Sequence, residues 1–129
     1  MSKKIIHTDH APKAVGPYSQ AVMLGDTLYC SGQIPIDPKN QDVFTGDIKT
    51  QTEMVLSNIE AVLRAADMNF NHVVKTTIFL TSMSDFAAVN EIYAKRFPSN
   101  PPARSTIQVA ALPKAVNVEI EVLAHKNAE

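Results

Sequence analysis

The chain has 129 residues, a formal net charge of −1 at pH 7 and a single cysteine, Cys30. This length predicts one domain over residues 1–129, and one cysteine excludes an intrachain disulfide. No apolar stretch approaches the ~20 residues that a membrane span needs, and the N-terminus lacks the apolar segment of a secretory signal. Because the charge is near neutral and forms no basic stripe, nucleic acid is not the expected partner. Together these features predict a cytoplasmic protein without a membrane or nucleic-acid partner.

The first part of the chain predicts three short strands. Lys4–Ile6 is the first candidate, and a proline-containing loop follows it. Residues 18–24 and 27–31 form the next two strands around Gly25–Asp26, a pair typical of a two-residue hairpin. The histidines of this region have no cysteine near them in sequence, and the spacing predicts no metal site.

Two amphipathic helices follow. Asp47 is the predicted N-cap of the first, whose apolar residues recur at three- and four-residue steps over residues 48–66. Ser84 is the predicted N-cap of the second, over residues 85–97. Asn90 falls on the apolar face of that helix, where an unpaired amide costs about 1–3 kcal/mol. Asn90 is therefore predicted to be a structural support that bonds to backbone or to another chain.

Three further strands complete an α+β fold. Residues 73–80 are apolar on both faces, which predicts a central strand. Residues 105–109 and 116–125 are the last two strands, joined by a turn around Pro113. The order β-β-β-α-β-α-β-β predicts one mixed sheet with two helices on one face.

Strand alternation predicts which side chains of the last two strands share a face. If their aliphatic residues pack on the helices, then Arg104 and Thr106 share the opposite face with Glu119 and Glu121. Neighbouring Arg and Glu residues often form a solvated pair worth about 0.2–1 kcal/mol, and the pattern alone favours that interpretation over a catalytic one.

The face of the sheet away from the helices is predicted to be half apolar. Val73 and Phe79 point there, with Lys75 and Thr77 between them. No helix remains to cover this face, so we expect a partner subunit to do so.

Seven blocks of sequence, in order along nearly the whole chain, carry a family resemblance. They are Gly16–Ala21, Ser31–Pro35, Val74–Phe79, Asp85–Asn90, Pro102–Ser105, Val109–Pro113 and Val118–Glu121. Together they closely resemble the reactive intermediate deaminase family (RidA/YjgF). The resemblance implies a chorismate-mutase-like fold, a homotrimer with a cleft at each subunit interface, and no cofactor. It also implies hydrolysis of enamine/imine intermediates, 2-aminoacrylate and 2-aminocrotonate, to 2-keto acids and ammonia.

The resemblance implies roles for five residues. Arg104 matches the arginine that binds the substrate carboxylate, for which its planar fork is suited. Glu119 matches the acidic residue that orients or activates water. Tyr18 matches an aromatic residue of the cleft wall contributed by the neighbouring subunit. Gly32 and Thr106 match positions where the backbone approaches the ligand, although many members carry Cys in place of Thr106.

Other functions stay open at the level of sequence. The same arginine cleft suits a non-enzymatic module that binds or senses small carboxylates such as 2-keto acids. The family's older label, translation inhibitor or ribonuclease, is disfavoured because the chain has no paired histidines suited to that chemistry and no basic aromatic groove. A chaperone-like surface role is a further alternative.

Overall fold

The computed structural model describes residues 2–128, and within them six strands form one mixed sheet beside two α-helices. The strands are β1 Lys4–Ile6, β2 Ala21–Leu24, β3 Thr27–Cys30, β4 Val73–Leu80, β5 Ala103–Gln108 and β6 Val118–His125. The helices are α1 Ile48–Ala65 and α2 Phe86–Arg96. The predicted α+β class, with a six-stranded mixed sheet and two helices, is confirmed.

The strand order is β1-β2-β3-β6-β4-β5. β4 lies between β6, with which it pairs antiparallel, and β5, with which it pairs parallel. β4 is therefore flanked on both sides, as its sequence predicts, and β5 is an edge strand. β2 is shorter than predicted because the Tyr18 N–H donates to Gly16 O (2.9 Å) in a turn before the strand.

The helix starts follow local hydrogen bonding. Asp47 caps α1 by accepting the Thr50 N–H at 3.0 Å, which confirms its prediction as N-cap. Ser84 does not cap α2, and that prediction is wrong. Its own N–H is donated to Ser82 Oγ (3.2 Å), so Ser84 lies inside a 3₁₀ turn that precedes the helix.

Both helices pack on one face of the sheet. The core there is formed by buried aliphatic residues of β4 and β6, namely Ile78, Leu80, Val118, Ile120 and Val122. From α1, Gln51 donates to Asn117 Oδ1 (2.9 Å) just before β6, and from α2, Tyr93 shares a hydrogen bond with Thr76 of β4 (2.8 Å). No helix within residues 2–128 is both long and apolar enough to cross a membrane.

The register reverses the predicted faces of β5. Arg104 pairs with Thr76 and Thr106 with Ile78, both on the helix side of β4. Ile107 pairs with Phe79 on the other side and is 45% exposed. The prediction failed because β5 lies at the sheet edge, where alternation of apolar residues does not identify the face that the core covers.

The opposite face keeps Glu119, which pairs with Phe79, and Glu121, which pairs with Thr77. The predicted position of Val73 on that face is wrong. A register shift after Val73 turns its side chain into the core, where it is buried opposite Ala124. A β-bulge of this kind breaks the two-residue period on which the prediction depended.

One row of side chains crosses all six strands on the face that the helices leave uncovered. It runs through Ile5, Val22, Tyr29, Leu123, Lys75 and Ala103. Ile5 and Tyr29 are about half exposed. Apart from Lys75 the row is apolar, and a largely apolar row of this length on a sheet is typical of a surface that another chain covers.

Candidate functional site

A cavity of about 570 Å³ opens beside the first residues of β6. Tyr18, Gly32 and Glu119 all line it. The carboxyl group of Glu119 lies directly against the Cα of Gly32, since a Cβ built on Gly32 would overlap Glu119 Oε2 and lie 2.9 Å from its Cδ. Only glycine at this position leaves the carboxyl group where it is.

Backbone pairing brings Gly32 and Glu119 together. The Gln33 N–H donates to Ile120 O (2.9 Å), and the Ile120 N–H donates to Gln33 O (3.1 Å). Ser31 on the other side of Gly32 donates its Oγ to Ser19 O (2.6 Å). The segment that carries Gly32 is thus fixed to β6 and to the segment that carries Tyr18.

Gln20 holds the outer wall of this cavity, and sequence reasoning missed it. Its amide is buried, donates to Thr8 O (3.0 Å) and Pro12 O (2.8 Å), and accepts the Thr8 N–H (2.7 Å). The loop that includes Pro12 and Lys13 is thereby fixed at the cavity mouth. The signal in the sequence was a glutamine directly before the apolar strand β2, since an amide that is buried beside a strand needs hydrogen-bond partners.

The environment of Glu119 favours its neutral form. Burial raises the pKa of the Glu119 carboxyl, and the nearby Glu121 carboxylate raises it further. A carboxyl group with a raised pKa is a stronger base once it is ionised, which suits general base catalysis near neutral pH. Lys13 and Lys114 also line the cavity and supply positive charge at its rim.

Arg104 lies in a second cluster, on the helix face of β5. Its Nη1 donates to Asn90 Oδ1 at 2.7 Å. Its guanidinium carbon lies 5.0 Å from the centre of the Tyr93 ring and 5.4 Å from that of Phe86. Within the described part of the protomer, the Asn90 amide bonds to the side chain of Arg104 and not to backbone, and its contact with another chain stays a prediction. Tyr93 and Phe86 were not anticipated as neighbours of Arg104.

Thr106 lies two residues after Arg104 on the same face. Its Oγ1 is buried and has no hydrogen-bond partner among residues 2–128. An unsatisfied buried hydroxyl costs about 1–3 kcal/mol, and native structures retain few of them. The predicted contact with ligand at this position was to backbone, and the hydroxyl is an additional polar group there.

The predicted site residues therefore form two groups within one protomer. Tyr18 and Gly32 join Glu119 at the cavity, whereas Asn90 and Thr106 lie with Arg104 across the sheet. The expectation that Arg104 and Glu119 share a face is wrong, because β5 presents Arg104 to α2. Tyr18 and Glu119 of one protomer line the same cavity. If a neighbouring subunit contributes Tyr18 to a cleft with Arg104, that subunit also contributes Glu119.

Neither group forms a metal site. Among residues 2–128, no three His, Cys, Asp or Glu side chains lie close enough together to hold a metal ion. The one cysteine, Cys30, is partly buried, and burial raises the pKa of its thiol to about 12. At neutral pH it stays protonated, which makes it a poor nucleophile.

This fold, with a carboxyl cavity and a stacked arginine, defines a small α+β protein with a divided polar site. The sequence profile of the family described as Endoribonuclease L-PSP matches residues 8–126. The chain is similar to Protein DfrA of Myxococcus xanthus (52% identity, 96% of each chain covered). It is also similar to human 2-iminobutanoate/2-iminopropanoate deaminase (47% identity, 95% of this chain and 89% of the relative).

Comparison with solved structures indicates the same family. A crystal structure of RidA from an Antarctic Psychrobacter superposes with a TM-score of 0.91 at 47% identity, covering 95% of this chain and 98% of the other. The chain belongs to the Endoribonuclease L-PSP family, the family of the RidA proteins.

Proposed function

We propose that the protein hydrolyses reactive enamine/imine intermediates, 2-aminoacrylate and 2-aminocrotonate, to 2-keto acids and ammonia. The observation that carries the proposal is the placement of Glu119, a carboxyl group of raised pKa pressed against Gly32 in a cavity. The name of the human relative, 2-iminobutanoate/2-iminopropanoate deaminase, supports the same chemistry.

The proposed assembly is a homotrimer with a cleft at each subunit interface. In a single protomer Arg104 faces α2, and Glu119 lies on the other side of the sheet. A cleft that uses both therefore takes Arg104 with Asn90 and Thr106 from one subunit, and Glu119 with Tyr18 and Gly32 from the next. The largely apolar row through Tyr29 and Leu123 supports burial of the uncovered face between subunits.

In this cleft Arg104 binds the substrate carboxylate and leaves the imine carbon beside Glu119. The enamine first tautomerises to the imine. A water molecule then adds to the imine carbon and passes a proton to Glu119. Glu119 returns that proton to the nitrogen, which gives the neutral carbinolamine. The carbinolamine hydroxyl then passes its proton through Glu119 to the amino nitrogen, the C–N bond breaks, ammonia leaves, and the carbonyl group of the 2-keto acid forms. General base help of this kind contributes about 10²- to 10⁴-fold, and positioning adds to it.

The test couples a serine or threonine dehydratase to 2-keto-acid detection, with and without the protein. We expect faster early release of keto acid with the parent protein, loss of substrate binding in Arg104→Lys, and loss of turnover more than binding in Glu119→Gln. Lys cannot copy the bidentate geometry of Arg. Binding of 2-ketobutyrate without faster imine loss would contradict the proposal and favour the non-enzymatic carboxylate-binding module. Light scattering that gave a monomer would contradict the intersubunit cleft.

A further inference from the structure

Arg104 is oriented by neighbours that carry no charge. Aromatic rings and an amide contact its guanidinium, and no Asp or Glu among residues 2–128 forms an ion pair with it. The guanidinium of arginine is well suited to pair with a carboxylate, which would neutralise its charge. Here the guanidinium group is held in one orientation and its charge is not neutralised, so it remains available to an incoming anion.

Tyr93 supplies the surface on which the guanidinium lies, and its own position is fixed. The residue is 5% exposed, its hydroxyl shares the 2.8 Å hydrogen bond with the buried Thr76, and its ring packs on Phe97 at 4.7 Å between centres. Burial raises the pKa of the Tyr93 phenol, so the ring stays neutral at physiological pH. A fixed aromatic face attracts a cation by its quadrupole without cancelling the charge.

A hydrogen bond to Asn90 further restricts the orientation of the guanidinium group. Its Oδ1 accepts from one nitrogen, Nη1, which leaves the other N–H groups of Arg104 unassigned. A carboxylate at this position would accept equally well, but it would form an internal ion pair with Arg104 and compete with the carboxylate of a substrate. The neutral amide orients the arginine without that competition.

We propose that Tyr93 and Asn90 are positioning residues that hold Arg104 oriented but electrically uncompensated for capture of a substrate carboxylate. This inference rests on the proposed function and adds to it the requirement that both neighbours be neutral. It predicts that a ring without a hydroxyl suffices at position 93, whereas a negative charge at position 90 is harmful.

The test measures the dissociation constant of 2-ketobutyrate, a stable small carboxylate, by calorimetry, together with KM and kcat for imine hydrolysis. Tyr93→Phe should bind within about threefold of the parent, because the ring remains. Tyr93→Leu should bind about 3- to 30-fold more weakly and raise KM with little change in kcat. Asn90→Asp should bind at least ~10-fold more weakly at pH 7.

The pH dependence separates orientation from folding. The loss in Asn90→Asp should shrink only as the pH falls below ~4, because the adjacent Arg104 guanidinium holds the pKa of the new carboxyl group below its ordinary value of ~3.9. Glu91→Gln is the matched control, since Glu91 is on the same helix but pairs with Lys49 at 3.0 Å, and its binding should equal that of the parent. A merely structural role for Asn90 would give a loss that does not depend on pH.

Each outcome decides the inference. Parental binding by both folded Tyr93→Leu and Asn90→Asp overturns it and leaves the proposed function standing. A parent protein that neither binds 2-ketobutyrate nor accelerates imine hydrolysis overturns the proposed function and this inference together. If Tyr93→Leu does not fold, the half-buried Asn90→Asp and its pH dependence still decide the matter.

Discussion

At the scale of single residues, the absence of a side chain at Gly32 allows the Glu119 carboxyl group to occupy its observed position. The built Cβ meets the end of that side chain and no other group in such close contact. The Gly32–Glu119 pair is thus one unit, in which a change at one position acts through the other. A shift of the carboxyl group of about 1 Å can cost about 10²-fold in rate.

Gly32→Ala should therefore lose about 10²-fold in imine hydrolysis and be less stable than the parent. The destabilisation should be smaller when Gly32→Ala is made in a Glu119→Ala background, because the overlapping side chain is then absent. The measurement is a double-mutant cycle by urea unfolding, with steady-state rates for the single variant. Equal destabilisation in the two backgrounds would contradict the contact.

The raised pKa of Glu119 predicts how stability depends on pH. Because the folded-state pKa lies above the unfolded value, the folded state holds its proton more tightly. The associated stability is complete below the unfolded pKa, near 4.5, and is lost as the pH rises through the folded-state pKa. Glu119→Gln lacks this loss, so its free energy of unfolding should rise relative to the parent as the pH rises above about 4.5 through the range in which Glu119 ionises in the folded state. Denaturant unfolding across that range measures the difference, and a difference that is constant with pH would contradict the shift.

At the scale of elements, buried amide hydrogen bonds set how α1 meets β6. Gln51 is fully buried and joins the two by donating to Asn117 Oδ1 and accepting the Asn117 N–H, each at 2.9 Å. Asn117 in turn donates to Thr81 Oγ1 (3.0 Å) beyond the end of β4. The start of β6, which carries Glu119, is thus tied to α1 and to β4.

Gln51→Met should lower the free energy of unfolding by about 1–3 kcal/mol, because it leaves the Oδ1 and the backbone N–H of Asn117 without partners. Urea unfolding at one fixed protein concentration measures this change. Lys49→Met is the control on the same helix, since its exposed ion pair with Glu91 contributes about 0–1 kcal/mol. A smaller loss in Gln51→Met than in Lys49→Met would contradict the assignment.

The sequence predicted long periodic elements well and faces at the sheet edge poorly. The bounds of β4 and the cap of α1 at Asp47 agree with the structure, because each depends on a local pattern. The face of Arg104 does not, because it depends on the parallel pairing of β5 with β4 and on the rings of α2. The bulge after Val73 had no local signal in the sequence either.

At the scale of the whole molecule, one protomer presents two incomplete halves of the proposed site. Family resemblance supplied the identity of Arg104, Glu119, Tyr18, Gly32 and Thr106, but not their division between two sides of the sheet. That division follows from strand register, since β5 places Arg104 opposite Thr76 on the helix side of β4, whereas β6 places Glu119 opposite Phe79 on the other side. Long-range pairing of this kind is set by the whole chain and cannot be obtained from the alternation of one strand.

The placement of Arg104 and Glu119 on opposite sides of the sheet predicts how mixed assemblies of two variants behave. If each cleft takes its arginine from one subunit and its glutamate from the next, two inactive variants should complement one another. Arg104→Lys and Glu119→Gln, unfolded and refolded together in equal amounts, would give mixed trimers in which about a quarter of the clefts carry both parental residues. Each variant refolded alone gives none. Recovery of about a quarter of parental activity in the mixture is the expected result, and activity no higher than the average of the separate variants would mean that both residues act from one subunit.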